Sequence, residues 1–158
     1  MRNIVMARVD ERLIHGQVMT SWLKVTDANT VLVVDGPSAS NAFLRRILFA
    51  AAPKNIELQV MGEEDAAAYL AQESPAGERV FLLAKTPGPF LRLIRCGIRP
   101  QEVILGNMGG AAGRKRFSRS INASDAEIGE FRDILAAGVG LYCQMVPTDP
   151  KEDVKKLL

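Results

Sequence analysis

The sequence predicts an α/β fold with an open, mainly parallel central sheet of about six to seven strands and helices on both faces. Short runs rich in Val, Ile and Leu recur, and several are apolar at successive positions, which is typical of strands covered on both faces. Helical patterns lie between the runs, and this alternation predicts parallel pairing. The runs span residues 3–9, 30–35, 56–61, 79–85, 102–107 and 139–146.

The segments between the strands carry helical periodicity. The first, "GQVMTSWLKV", places Val18, Trp22 and Val25 on one side, so Trp22 is predicted to pack in the core. The last, "SDAEIGEFRDILAAG", begins with Ser124 and Glu127 at capping-box spacing and ends on a glycine. The others are "NAFLRRILFAA", "EEDAAAYLAQ" and "GPFLRLIR".

Residues 113–124 interrupt this alternation. Basic residues alternate there with Phe117 and Ile121, which predicts an exposed edge strand or a loop. The basic run "RKRFSR" (114–119) has two interpretations: a solvated edge, or a docking patch for an acidic protein surface. The glycine-rich "GNMGGAAG" (106–113) before it is either a phosphate cradle or a flexible turn, since it matches no standard phosphate-loop pattern.

Length and composition favour one domain over residues 1–158. The chain is 47% hydrophobic with a formal net charge of +2, so no global field indicates nucleic acid as a partner. Cys96 and Cys143 lie far apart in apolar stretches, which argues against a disulfide scaffold and fits a reducing cytosol. We expect neither a signal peptide nor a membrane span, because charges interrupt every apolar run before ~18 residues.

The sequence offers no evident metal or cofactor site. One histidine and two separated cysteines supply too few ligands for zinc, and no loop clusters Asp and Glu as calcium sites do. We therefore expect chemistry that depends on protein side chains alone.

Polar and glycine-rich residues follow the predicted strands. In parallel sheets, ligands gather at this carboxyl edge. Asp10, Arg12 and His15 follow the first strand. Lys85 and Thr86 follow the fourth, and they share a crevice with His15 if the strand order reverses between these two strands.

His15 is the only histidine, and it lies at a predicted junction of strand and helix. Free N–H groups in the first helical turn and the helix dipole attract anions there. Arg12 adds a permanently charged planar donor, and Gly16 leaves access for a bulky group. Asp10 either holds Arg12, orients the ring, or is a surface carboxylate or turn former. The predicted phosphate-binding groups are Gly16, Gln17, Lys85 and Thr86.

Four roles for His15 remain open on this evidence. It is a partly buried structural side chain, or it is the general base of a small α/β hydrolase or isomerase, with Thr86 or Ser38 as a candidate nucleophile. In the third role it belongs to a non-catalytic module that binds a phosphorylated ligand. In the fourth role the imidazole itself takes up a phosphoryl group, because neutral imidazole is a good nucleophile near neutral pH.

The run "RVDERLIHGQV" followed by Trp22 resembles the signature of the enzyme IIB component of the mannose/fructose/sorbose family of the bacterial phosphoenolpyruvate-dependent sugar phosphotransferase system. Shorter stretches also resemble that family. They are "VVDG", "KTP", "LGNMGG" and "GVGLYCQMVPTDP".

This resemblance implies a late antiparallel strand and phosphorylation of His15, usually at Nδ1. It implies that Arg12 steadies the phosphoryl group and that Asp10 supports the site. The implied partners are a separate phosphorylated IIA protein, the membrane components IIC and IID, and a mannose/fructose/sorbose-type sugar. The implied location is cytoplasmic, peripherally associated with the membrane transporter.

Overall fold

A seven-stranded sheet forms the centre of the protein in the computed structural model, which describes residues 1–158. A separate two-stranded hairpin lies beside it. The strands are β1 (Ile4–Asp10), β2 (Thr30–Val34), β3 (Glu57–Met61), β4 (Val80–Ala84), β5 (Glu102–Asn107), β6 (Lys115–Ser118), β7 (Ile121–Ala123), β8 (Gly140–Cys143) and β9 (Glu152–Asp153).

Helices cover both faces of the sheet, as the sequence predicts. They are α1 (Gly16–Thr26), α2 (Gly36–Ser40), α3 (Ala42–Ala51), α4 (Glu63–Ala71), α5 (Gly88–Arg95) and α6 (Asp125–Ala136), with a final 3-10 helix at Val154–Lys156. One core joins α1 and α3 to the sheet, and a second joins α4, α5 and α6 to its other face. None of these helices combines the length and apolar composition needed to cross a bilayer.

The strand order is β3-β2-β4-β1-β5-β8-β9. All neighbouring pairs are parallel except β8 and β9, so the expected late antiparallel strand is confirmed as β9. β2 and β4 are buried at every position, which explains their continuous apolar runs. β1 lies between β4 and β5, and its last residue, Asp10, is in register with Asn107 of β5.

The hairpin of β6 and β7 is the segment that interrupts the sequence pattern. It is antiparallel, and its only β-bridge to a residue outside the hairpin joins Met108 and Ile121. Phe117 of β6 packs edge-on against Phe131 of α6, with ring centroids 5.3 Å apart. The segment is therefore an exposed edge strand, but it belongs to a separate hairpin and not to the central sheet, because its alternating apolar residues bury one side against α6 while the basic residues of β6 stay exposed.

Two details of the helices follow the sequence. Ser124 and Glu127 form the predicted capping box of α6, and Trp22 is 3% exposed within the core under α1. The apolar run 139–146 is only partly a strand, because β8 ends at Cys143 and the next two carbonyl groups turn toward Arg8.

The two cysteines are predicted to differ in reactivity. Burial raises the pKa of the Cys143 thiol to about 12, whereas Cys96 is exposed. At pH 8 only about one Cys143 thiol in ten thousand is then ionised. Titration with a disulfide reagent should label one thiol rapidly in the native protein and two in urea. Cys96→Ser should abolish the rapid phase and Cys143→Ser should keep it; a rapid phase that survives Cys96→Ser would contradict this assignment.

Candidate functional site

His15 lies where β1 passes into α1. It is the N-cap of α1, with an extended backbone (φ −154°, ψ 132°) and no side-chain hydrogen bond to the helix. The N–H groups of Gly16, Gln17 and Val18 have no acceptor within the protein. The predicted free helix N-terminus is therefore present next to the only imidazole.

A tight turn joins β1 to His15. The Leu13 N–H donates to the Asp10 carbonyl at 2.9 Å, and the Arg12 N–H donates to the Asp10 carboxylate at 3.0 Å. Leu13 adopts a left-handed backbone with φ of 56°, which is unfavourable for a branched side chain by about 1 kcal/mol or more. The turn directs the Leu13 carbonyl at the imidazole, whose Nδ1 lies 2.9 Å away.

Asp10 is the central group of the site. Its carboxylate is completely buried and accepts hydrogen bonds from Arg12 Nε and Arg12 Nη2, both at 3.1 Å. The same carboxylate is 3.5 Å from Arg8 Nη2 and 3.7 Å from His15 Nε2. Asp10 thus both holds the Arg12 fork and faces the ring, and the interpretation as a surface carboxylate is wrong.

Arg8 is a site residue that the sequence argument missed. It is 1% exposed and donates to the carbonyl groups of Gln144 at 2.9 Å and Met145 at 2.7 Å. Its guanidinium lies 4.9 Å from the centre of the Trp22 ring, and Trp22 Nε1 donates to the same Met145 carbonyl at 2.9 Å. A charged residue inside an otherwise apolar strand was the signal that could have found it.

The charge of Arg8 survives its burial. Desolvation lowers the pKa of Arg8 to about 10, while attraction to Asp10 opposes the shift. Arg8 is therefore a cation at neutral pH. Arg8 and Arg12 together exceed Asp10 by one positive charge, which suits the site to an anionic group.

The imidazole is less open than an isolated surface histidine. Its side chain is 22% exposed, and the Nε2 atom has no contact with solvent and no hydrogen-bond partner. The ring therefore lies between two oxygen atoms, with Nδ1 against the Leu13 carbonyl and Nε2 facing the Asp10 carboxylate.

Lys85 and Thr86 meet the topological condition but do not contact the ring. β4 is next to β1, and the helices that follow these two strands cover opposite faces. Lys85 Nζ is nevertheless 3.8 Å from Asp35, and neither Lys85 nor Thr86 forms a hydrogen bond or ion pair with His15. The candidate nucleophile Ser38 donates to Asp35 at 2.5 Å. The hydrogen-bond partner of the imidazole is a backbone carbonyl, and no hydroxyl or thiol is bonded to it.

The glycine-rich segment 106–113 supports the site through close packing. A Cβ on Gly106 would overlap the Arg8 guanidinium, and one on Gly109 would overlap the Glu11 carboxylate. Arg114, at the end of the segment, donates to Glu11 at 3.2 Å and to the Gly109 carbonyl at 2.9 Å. These glycines let β5 and its following loop approach the β1 turn, a role that neither the cradle nor the flexible-turn interpretation anticipated.

Known proteins match the whole chain. The family described as "PTS system sorbose subfamily IIB component" matches residues 4–158. The N-acetylgalactosamine-specific phosphotransferase enzyme IIB component 2 of Escherichia coli K12 is 32% identical over 158 residues, 100% of both chains. The mannose-specific EIIAB component of Escherichia coli K12 is 31% identical over 155 residues, which are 98% of this chain and 48% of that protein.

A solved structure shares the fold. The crystal structure of the IIBSor domain of the sorbose permease from Klebsiella pneumoniae superposes with a TM-score of 0.92 at 30% sequence identity. The match covers 98% of this chain and 95% of that one.

Gly106→Ala is predicted to destabilise the protein by about 3 kcal/mol, because it displaces a buried arginine from its acceptors. Gly110→Ala is the matched control, since a Cβ there meets no atom within 4 Å, and it should change stability by less than about 0.5 kcal/mol. Urea unfolding monitored by circular dichroism measures both. Equal stability of the two variants would show that Arg8 relocates without loss.

Proposed function

The chain belongs to the sorbose-subfamily IIB family of the sugar phosphotransferase system, and from this premise we propose that it is a phosphohistidine carrier. Members of this family are phosphotransferases. In the proposed reaction His15 accepts a phosphoryl group from a IIA protein and transfers it to a mannose/fructose/sorbose-type sugar during uptake. Residues 1–158 act as one IIB-type domain.

The observation that carries the proposal is the position of His15 between a free helix N-terminus and an arginine. The unbonded N–H groups of Gly16 and Gln17 begin α1, and Arg12 is 42% exposed within the same turn. Phosphoryl transfer requires little more than in-line positioning and stabilisation of oxygen charge, and these groups supply both. A hydrolase or isomerase would need a second catalytic group at the ring, and none is bonded to it.

The transfer is a pair of substitutions at phosphorus. The lone pair of a His15 nitrogen attacks the phosphorus of a phosphohistidine on IIA, and the electron pair of the broken N–P bond returns to the IIA imidazole. A sugar hydroxyl then attacks the phosphorus on His15; its proton passes to a base at the sugar site, and the electron pair of the broken N–P bond returns to the His15 ring. The carrier therefore ends in its initial state and water takes no part.

We infer that Nδ1 is the nucleophilic nitrogen. In the resting orientation the Leu13 carbonyl, 2.9 Å from Nδ1, can only accept a proton from it; once the ring turns away from Leu13, the Asp10 carboxylate that faces Nε2 at 3.7 Å can hold the proton on Nε2 and leave the lone pair on Nδ1. Nδ1 is at present held against the Leu13 carbonyl. Rotation of the ring away from Leu13 while Nε2 stays beside Asp10 frees the nucleophile and is the conformational step that precedes transfer.

The remaining site residues have proposed roles around the phosphoryl oxygens. Arg12 stabilises charge on them, and the N–H groups of Gly16 and Gln17 bind them from the helix end. Lys85 and Thr86 line the neighbouring strand end, where they complete the anion site once a phosphoryl group or a partner is bound.

The proposed partners follow the relatives' names and the family. A IIA protein supplies the phosphoryl group. One relative is an EIIAB component, and the match to this chain covers about half of that relative's length. The membrane components IIC and IID bring the sugar, and the carrier acts from the cytoplasm, peripherally bound to that transporter. We propose neither a cofactor nor a nucleic-acid partner.

Incubation with a phosphorylated IIA protein should place one acid-labile, base-stable phosphate on the chain. His15→Gln should carry none, because glutamine approximates the size of imidazole without its nucleophilic nitrogen. Phosphate release by acid identifies a phosphohistidine, and two-dimensional NMR identifies the nitrogen that carries the phosphate. An unlabelled native chain would remove the proposed function, and label persisting on His15→Gln would move the site elsewhere.

Arg12→Ala is predicted to slow transfer by one or more orders of magnitude with the fold intact, since a charge-stabilising donor contributes a few kcal/mol in such transition states. Arg46→Ala, an exposed arginine on α3 without a hydrogen bond, is the control. Rapid-quench measurement of both half-reactions locates the effect. Transfer at the native rate would show that backbone N–H groups suffice.

A further inference from the structure

We propose that the hairpin of β6 and β7 is the docking surface for the IIA protein, which binds it through an acidic patch on IIA. The inference rests on the proposed carrier function and adds the surface through which the phosphoryl donor is recognised. Two exposed arginines of the hairpin, Arg116 and Arg119, are the residues that this surface depends on.

The hairpin forms one wall of a groove on the protein surface. The groove has a volume of about 1130 Å³ and runs between the hairpin and the segment that joins β8 to β9. Arg116 and Arg119 line the first wall, and Asp149 and Glu152 line the second. The lining is rich in amide and hydroxyl groups, which suits a protein loop more than an apolar ligand.

The hairpin concentrates three cations that have no acidic partner. Lys115, Arg116 and Arg119 are exposed and form no ion pair; Arg116 donates only to the Arg119 carbonyl. The opposite wall is already engaged: Glu152 accepts from Ser118, and Asp149 accepts from the Val146 N–H at 3.3 Å. With a net charge of only +2 on the whole chain, three unpaired cations on one hairpin are a local feature that complements an acidic surface.

The groove borders residues that support the proposed phosphorylation site. Asn107 lines it and is in register with Asp10, and the Met145 carbonyl that lines it accepts from Arg8. A partner seated against the hairpin therefore lies next to the turn that carries His15. Arg114, at the base of the hairpin, also binds Glu11 in that turn, so an ion pair links the docking surface to the site.

The docking residues are separable from the hairpin's packing. Phe117 holds the hairpin against Phe131, and Arg114 holds its base through Glu127 at 2.8 and 2.9 Å. Arg116 and Arg119 make no contact with these anchors. Substitution at the two arginines changes the charge of the surface while the hairpin stays in place.

The test is the rate at which a phosphorylated IIA protein of the same sugar system labels His15, with IIA varied from far below to far above half-saturation. Arg116→Glu/Arg119→Glu should lower the second-order rate constant at least tenfold and remove most of its dependence on salt, since steering between opposite charges is screened by ions. The rate at saturating IIA should fall less than twofold. Arg116→Lys/Arg119→Lys should retain most of the native rate.

Lys24→Glu/Lys54→Glu is the matched control, because both lysines are exposed and lie before the amino ends of β2 and β3, away from His15. This variant should leave the second-order rate constant and the rate at saturating IIA unchanged. Thermal unfolding verifies that the variants are folded.

Each outcome is decisive for one claim. Native protein that IIA does not label would refute the carrier function itself. Normal labelling of the native protein together with an unaffected Arg116→Glu/Arg119→Glu variant would overturn the docking surface alone. An equal loss of the second-order rate constant in the Lys24→Glu/Lys54→Glu control would do the same. If the same arginines instead govern binding to phosphatidylglycerol vesicles while IIA transfer is unchanged, the hairpin binds a membrane and the assignment to IIA is wrong.

Discussion

The site depends on one buried carboxylate. Asp10 is completely enclosed, and burial of an isolated carboxylate is prohibitively unfavourable unless cations and donors surround it. Arg8 compensates it from inside the protein and Arg12 from the surface, while the ring of His15 lies 3.7 Å away. The same charge that stabilises the turn therefore sets the position of the arginine and of the imidazole. Loss of Asp10 would leave Arg8 buried without its only anionic partner.

The sheet topology makes this arrangement possible. β1 lies between β4 and β5, and the chain turns to opposite faces after β1 and after its neighbours, so the end of β1 opens into a crevice. Two distant segments close on it: the carbonyl groups of Gln144 and Met145 bind Arg8, and glycines after β5 admit the Arg8 and Glu11 side chains. The site is a product of the β1 turn and of the carboxyl-terminal third of the chain.

Periodicity alone predicted the parallel sheet, the helices on both faces and the position of His15 at a helix N-terminus, because these follow from local patterns of burial and capping. The role of Arg8 could not be predicted in that way, since its acceptors are backbone carbonyl groups more than 130 residues away and every residue type carries a carbonyl. The contact of Nδ1 with Leu13 was equally hidden, because it depends on a left-handed residue that is not glycine. Lys85 was expected near the ring, yet the adjacent carboxylate of Asp35 is its closer partner.

A carrier must release its cargo as readily as it accepts it, and the geometry of the resting site is suited to that requirement. An arginine with no other partner would bind a phosphoryl dianion tightly and lower the energy of the intermediate along with that of the transition states, which gains nothing in rate. Here Arg12 already shares its charge with Asp10, and the nucleophilic nitrogen must leave Leu13 before it reacts. In the proposed carrier both contacts would compete with the bound phosphoryl group and return when it departs. They would thus narrow the energy difference between the phosphorylated and free states, which is the condition for passing the group onward.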